Sequence, residues 1–334
     1  MKSVPSQLPE VMPAAYVTAL GGPELITFGE LPVPVPGPGE VLVEVEVLTV
    51  NPVDTLVRSG RYPTPTPFPF VVGRDLAGTV RLASSPESPF RPGDRVWCNS
   101  LGHDGRQGSF AGFAVVPADR LYPLPPEADP VTAVAIAHPA ATAYLGWFVH
   151  ARLRPGQTVY VAGAAGNVGR AAVQLAVAAG ARVLAGARTA DHRDCLAAGA
   201  EHAVDYRDAG LADRLAGLAP RGVDVFWNTS GRHDLDLAVR VVATGGKVLL
   251  SAATDDTTEL PVRAFYVRDM SMLGFVISRA RADDLAEAAE LINRMLRAGT
   301  LTTRIAQELP LSATADAHRR IESGGVRGRL ILRP

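Results

Sequence analysis

From Thr158 the chain reads Thr-Val-Tyr-Val-Ala, breaks at Gly163-Ala164-Ala165-Gly166, and resumes as Asn167-Val168-Gly169-Arg170-Ala171-Ala172. A β-branched apolar run, a glycine cluster and an Ala-rich stretch in that order describe a strand turning sharply into a helix. The same texture recurs downstream. Apolar runs at 182–185, 223–227, 247–251 and 271–276 alternate with helical stretches. Strands separated by crossover helices imply a parallel, doubly wound sheet.

The glycine cluster also carries chemistry. Strictly it reads Ala-x-Gly-x-x-Gly, with Ala164 where the first glycine of a dinucleotide-binding turn stands. Such a turn brings a pyrophosphate against backbone N–H groups at a helix N-terminus, where free donors and the helix dipole favour negative charge. Gly166 leaves room for that approach and Gly169 lets helix and strand pack closely. Asn167 is tolerated there because Asn enters the left-handed region more readily than most residues. Ala164, Ala165, Gly166, Asn167, Val168 and Gly169 are the expected pyrophosphate cradle; an ordinary Gly-rich turn is the competing reading. Nineteen residues past Gly169 stands Arg188, followed by Thr189, where an enzyme selective for NAD carries an acidic residue. This favours NADPH over NADH, with Arg193 and Tyr206 as further contacts at the 2′-phosphate and adenine. Against it, Arg188 is equally placed to pair with Asp191 or Asp194.

The first third is different: rich in Pro and Gly, with period-two alternation at Glu40-Val41-Leu42-Val43-Glu44-Val45-Glu46-Val47 and a second strand-like run at 112–116. Short antiparallel strands in a barrel or sandwich are expected. A helix is expected over 283–298, with Leu285, Ala289, Ile292 and Leu296 on one face, and a closing strand over 329–332. A length of 334 residues favours two domains over one core.

Composition removes several classes of function. A formal net charge of -1 and the absence of a basic run leave nothing to draw in nucleic acid. Two cysteines, Cys98 and Cys195, make neither a disulfide framework nor a thiolate-rich zinc site and fit a reducing compartment. No stretch reaches the roughly 18 apolar residues of a membrane span. Residues 1–10 lack the apolar run of a signal peptide. A soluble, cytoplasmic protein is expected.

Beyond these local signals, the chain carries Val50-Asn51-Pro52-Val53-Asp54-Thr55-Leu56-Val57-Arg58-Ser59-Gly60-Arg61-Tyr62-Pro63, Gly73-Arg74-Asp75-Leu76-Ala77-Gly78, Pro92-Gly93-Asp94-Arg95-Val96, Gly108-Ser109-Phe110-Ala111, Thr142-Ala143-Tyr144 and Gly325-Val326-Arg327-Gly328-Arg329-Leu330. In these, and over nearly its whole length, it resembles the zinc-independent quinone oxidoreductases, the zeta-crystallin-like branch of the medium-chain dehydrogenase/reductase superfamily. The resemblance implies a GroES-like β-barrel domain (1–134 and 279–334), a Rossmann doubly wound domain (135–278) that binds NADPH, a cleft where they meet, and a homodimer. It places Asn51 and Tyr62 toward the nicotinamide and acceptor, Thr142 near the nicotinamide carboxamide, Asn228 and Phe275 along the cofactor channel, and Arg327 at a phosphate or the domain interface.

Zinc relatives in that superfamily use a Cys, a Gly-His-Glu segment and a second His or Cys at the metal. Here the corresponding places are 51–54 and Gly73-Arg74-Asp75, and the four-cysteine structural loop is missing. No metal site is expected. Hydride transfer to a quinone or an electron-poor alkene then needs orientation, exclusion of water and hydrogen bonds to the developing oxyanion. A quinone is the leading acceptor, an enone or alkenal the alternative, and a non-catalytic crystallin-like or RNA-binding role a third reading. Many relatives carry Tyr where this chain has Leu56, which makes the pocket more apolar. Asp54 and Arg58 are expected to form an ion pair that shapes their loop, and His103 and His138 are given no role.

Overall fold

Alternating Val and Glu over residues 40–47 produces a strand, Glu40–Thr49, that is the hub of the first sheet. In the computed structural model, which describes residues 8–334, this strand pairs antiparallel with Asp75–Ala83, Phe113–Pro117 and Arg329–Arg333. Its glutamates are held on one face: Glu44 pairs with Arg81 at 2.6 Å and Glu46 accepts the Thr79 hydroxyl at 2.6 Å. The opposite face, with Val41, Val43, Val45 and Val47, is buried. Leu42 is buried on the glutamate side as well, so the alternation is broken where the sheet is covered on both faces. Seven strands make this sheet, and a second sheet of three (Val11–Val17, Thr27–Pro32, Phe70–Val71) shares its core. One pairing departs from the antiparallel expectation: Ile305–Pro310 runs parallel to Arg329–Arg333. A helix between them, Thr314–Ser323, provides the crossover that parallel neighbours require and was not foreseen from the sequence.

The chain divides into two compact units. The first runs to His138 and takes in 289–298 and 303–334; the second is Pro139–Ala288 with Gly299–Thr302. Two of the four crossings between them fall within the helices Pro130–Tyr144 and Ala282–Arg297.

The second unit holds six parallel strands. In chain order they are Thr158–Ala162, Arg182–Ala187, His202–Asp205, Val223–Asn228, Val242–Leu250 and Ser271–Gly274. In space they run third, second, first, fourth, fifth, sixth. That reversal beside the first strand is the switch point at which such sheets bind ligands, next to the carboxyl ends of the strands. Among the described residues no helix is long and apolar enough to cross a membrane. Of the ten residues read for a leader, the first seven lie outside the described residues.

Candidate functional site

The strand Thr158–Ala162 delivers the glycine cluster to the switch point. The chain reverses at Gly163 (φ +74°), where a Cβ would sit 2.9 Å from Thr229 Oγ1, and the helix Asn167–Ala178 begins four residues later. Two residues of the cradle depart from what the sequence predicts. The demand for a glycine backbone falls on Gly163, not on the Ala164 position, and Ala164 is buried, donating its N–H to Gly186 O at 3.1 Å. Asn167 is the first helical residue, not left-handed, because the reversal is already complete at Gly163. Gly166 is the N-cap and brings no side chain to the first turn, so its face is open. A Cβ on Gly169 would lie 2.1 Å from Gly163 O, a contact only glycine avoids. Ala165 is exposed beside this turn and Val168 half-buried.

Arg188 follows the second strand. Its Nε and Nη2 both lie 3.0 Å from Asp191 Oδ2, the pairing the sequence left open. Nη1 takes no part in that pair. Thr189 donates its hydroxyl to Asp205 at 2.6 Å, and this bond, with the Arg207 N–H, holds the Asp205 carboxyl below its ordinary range. Arg193 and Tyr206 are exposed nearby in the sequence, with the Arg207 guanidinium 5.5 Å from the Tyr206 ring centre. Asn228 is buried and spends its amide locally: Oδ1 accepts from Ser230 N at 2.8 Å and Nδ2 donates to Arg232 O. Phe275 stacks on His150 with ring centres 4.6 Å apart and lies 5.8 Å from Trp227. Thr142 is buried in the helix Pro130–Tyr144, and Arg327 is exposed just before the last strand.

The first unit holds a buried ionic network. Asn51 caps the helix Pro52–Ser59, whose third residue, Asp54, reaches back to accept the Asn51 N–H at 2.7 Å. The Asn51 side chain donates to Asp75 Oδ2 at 2.9 Å and accepts from Arg329 Nη2 at 2.7 Å. Asp75 also lies 3.8 Å from Arg329 Nη2 and 3.6 Å from His138 Nδ1. Arg74 is buried beside them, yet its Nε and Nη2 have no hydrogen-bond partner. The expected Asp54–Arg58 pair does not form. Asp54 is committed to the cap, and Arg58 crosses to Glu322 of the helix Thr314–Ser323. Tyr62 is half-buried, stands edge-on to His103 with ring centres 5.7 Å apart, and lines a shallow depression of about 470 Å³ with Leu20, Val57 and Pro63.

Burial is the main electrostatic force here. It raises Asp54 to about 7, with the Asp75 carboxylate adding to the rise and the Asn51 N–H, Arg74 and Arg329 opposing it. It lowers His103 to about 4, helped by Arg74 and Arg106, so the imidazole is neutral. The folded protein therefore keeps a proton on Asp54 that an unfolded chain, with a value of 3.8, has released. The stabilisation from this proton is complete below about pH 4 and is gone once pH has risen through about 7. Asp54→Asn, which keeps an acceptor for the cap, should match the wild type in thermal melts near pH 4 and exceed it by a growing margin up to pH 8. The margin should reach a few kcal/mol, since each tenfold change in proton affinity is worth about 1.4 kcal/mol.

Sequence reasoning missed this network as a unit. Its members come from 51–54, 74–75, 138 and 329, and the available signal was charge inside apolar runs: Arg74-Asp75 between Val72 and Leu76, and Arg329 before Leu330-Ile331-Leu332. Among the described residues no three His, Cys, Asp or Glu side chains gather as metal ligands.

Comparison with known proteins follows the same division. Residues 37–126 match the family model described as alcohol dehydrogenase GroES-like domain, and residues 167–294 the model described as zinc-binding dehydrogenase. The mouse protein named quinone oxidoreductase is 32% identical over 329 residues, covering 97% of this chain and 98% of that protein. A mycobacterial protein solved in complex with NADPH is 27% identical with a TM-score of 0.83, covering 97% of this chain and all of that one. A solved NAD-dependent alcohol dehydrogenase is 30% identical with a TM-score of 0.88 over the same shares.

Proposed function

The chain belongs to the quinone oxidoreductase family of the medium-chain dehydrogenase/reductase superfamily, and from that membership we propose that it passes reducing equivalents from NADPH to a quinone without a metal ion. The observation that carries the reading is the length of the likeness to the mouse quinone oxidoreductase, 97% of one chain and 98% of the other, so both units share it.

The residues present do not suit zinc. The positions read as counterparts of the zinc ligands hold Asn51, Asp54, Arg74 and Asp75, and Arg329 lies against Asn51 and Asp75 as well. Two guanidinium groups supply positive charge where a dication would need anionic and imidazole ligands.

The residues do suit a nicotinamide dinucleotide. Gly163 and Gly169 let strand and helix approach closely, and the first turn of Asn167–Ala178, whose N-cap Gly166 makes no side-chain bond to it, presents the Val168 and Gly169 N–H groups to a pyrophosphate lying along 164–169. Arg188 is our candidate for the 2′-phosphate through Nη1, with Asp191 fixing the guanidinium and Thr189, Arg193 and Tyr206 beside it. NADPH, when bound, supplies a hydride. Thr142 is proposed near the nicotinamide carboxamide and Arg327 at a phosphate or the domain interface; Asn228 and Phe275 are proposed to line the cofactor channel, their internal polar and ring contacts ordering its walls. On the acceptor side Tyr62 contacts the substrate, and Asn51 acts as a positioning residue between Asp75 and Arg329.

Arg188→Ala should weaken NADPH about 10- to 100-fold, the loss of a hydrogen bond between charged groups, and leave NADH unchanged in fluorescence titrations. Equal losses for both cofactors would remove the 2′-phosphate assignment. Initial rates with NADPH across a panel of quinones and enones test the acceptor: faster turnover of quinones supports the proposal, and turnover of enones alone moves the chain to the alkenal reductases. A cytoplasmic homodimer completes the reading, supported by two free, buried cysteines, by the edge position of Ser271–Gly274 and by the exposure of Val262, Tyr266 and Val267, which precede that strand in sequence.

A further inference from the structure

We propose that the Arg74 guanidinium is an oxyanion receiver: it binds the acceptor oxygen that becomes anionic when a quinone takes up hydride. This rests on the quinone reductase reading and adds a residue and a ligand chemistry to it.

Arg74 is 2% exposed, and neither a hydrogen bond nor an ion pair reaches its guanidinium among the described residues. An arginine stays protonated in proteins, so this is a buried charge with its donors idle. Buried charges ordinarily persist only when paired. Neighbouring carboxylates do not meet the need. Asp75 Oδ2 is engaged by Asn51 and lies 3.8 Å from Arg329, its Oδ1 lies 3.6 Å from His138 Nδ1 with no hydrogen bond to either carboxylate oxygen from Arg74, and Asp54 is turned to the Asn51 N–H. Both act on Arg74 only through space.

The ligand this geometry calls for is a compact anion with oxygen acceptors. The network contains two guanidinium groups, Arg74 and Arg329, against Asp75 and a second carboxyl, Asp54, whose ionisation burial opposes. With Asp54 protonated the network is one positive charge in excess, which one bound anion neutralises. The Arg74 charge acts on His103 and on Tyr62, two half-buried rings that stand edge-on to each other at 5.7 Å. A quinone that accepts a hydride, two electrons and one proton, retains one oxygen as a phenolate. Arg74 holds that phenolate until a proton from water completes the hydroquinone, and the balance is quinone + NADPH + H⁺ → hydroquinone + NADP⁺. A preorganised donor at a developing oxyanion acts where water is excluded, and removing one typically costs about 10²- to 10³-fold in turnover.

The test compares wild type, Arg74→Met and Arg74→Lys, and begins without cofactor. p-Nitrophenol titrated into wild-type protein should bind as the phenolate, seen by its long-wavelength absorbance at a pH where the free compound is mostly neutral; R74M should lose this signal. With NADPH and a quinone, R74M should lose about 10²- to 10³-fold in kcat with KM changed only a few-fold, and R74K should recover part of it. Removing an unpaired buried charge should also raise the Tm of R74M, whereas a structural arginine would lower it. Binding of neutral p-nitrophenol only, or none, by the wild type overturns the proposal whatever the variants do. So does an R74M enzyme with unchanged kcat, or one that melts lower and loses activity in proportion. If phenolate binding depends on Arg74 but the wild type reduces no quinone, the anion site stands and the quinone reading falls.

Discussion

Asp75→Asn should unfold the first unit under conditions where the wild type is stable. The substitution keeps the shape and the hydrogen bond to Asn51 but removes the carboxylate that Arg329 and His138 face. Arg329 and Arg74, both buried, are then left with Asp54 as the remaining carboxyl that acts on both, and burial opposes its ionisation. Breaking a buried ionic pair by removing one partner costs about 3–5 kcal/mol, a large part of the stability of a domain. The urea midpoint of the first unit is the readout, and D75N should move it sharply down. A midpoint within error of the wild type would mean that the guanidinium groups are solvated and that the network is not what holds these segments.

The second large effect belongs to the glycine turn, where two neighbouring glycines have separable roles. On Gly169 a Cβ would meet Gly163 O at 2.1 Å and Ala164 Cα at 2.8 Å, both backbone, so helix and strand must part. Gly169→Ala should therefore cost about 1–3 kcal/mol or more of stability and at least about 10²-fold in NADPH affinity, because the cradle itself is displaced. On Gly166 the nearest atom to a Cβ is Gly163 O at 3.2 Å, and the face is otherwise open. Gly166→Ala should keep its Tm and lose NADPH affinity alone, its methyl standing where the pyrophosphate approaches. Calorimetric melts and fluorescence titrations on both variants separate the two roles; a G166A protein that binds NADPH normally would place the pyrophosphate elsewhere.

The sheet of the second unit was legible because its signals are local. Four of the six strands end on or are followed by Gly, Asn or Asp, and the crossover helices lie between the strands in order, so the parallel architecture followed from one pass along the chain. What blurred was the residue-level detail of the turn. The motif template drew attention to Ala164 and Asn167, while the backbone reversal sits at Gly163, which Thr229 and Ser230 approach from the segment after another strand. Arg188 likewise stood out by spacing, but its pairing with Asp191 rather than Asp194 depends on the short helical turn Thr189–Asp191.

The ionic network was illegible for a different reason. Asn51 and Arg329 meet across 278 positions of sequence, and neither hydrophobic periodicity nor turn chemistry encodes such a contact. A charged pair at i and i+4 such as Asp54 and Arg58 is the natural local reading. It lost to two stronger local and long-range claims, the helix cap on Asp54 and the cross-helix pair of buried Arg58 with Glu322.

The central claim is metal-free reduction of a quinone by NADPH, and one preparation tests it. Protein dialysed against a chelator, with its zinc content measured on the same sample, is assayed for NADPH oxidation with a single quinone. Zinc far below one per chain and a rate equal to that of untreated protein are the expected results. A rate abolished by the chelator and restored by zinc, or no quinone-dependent oxidation of NADPH at all, would contradict it.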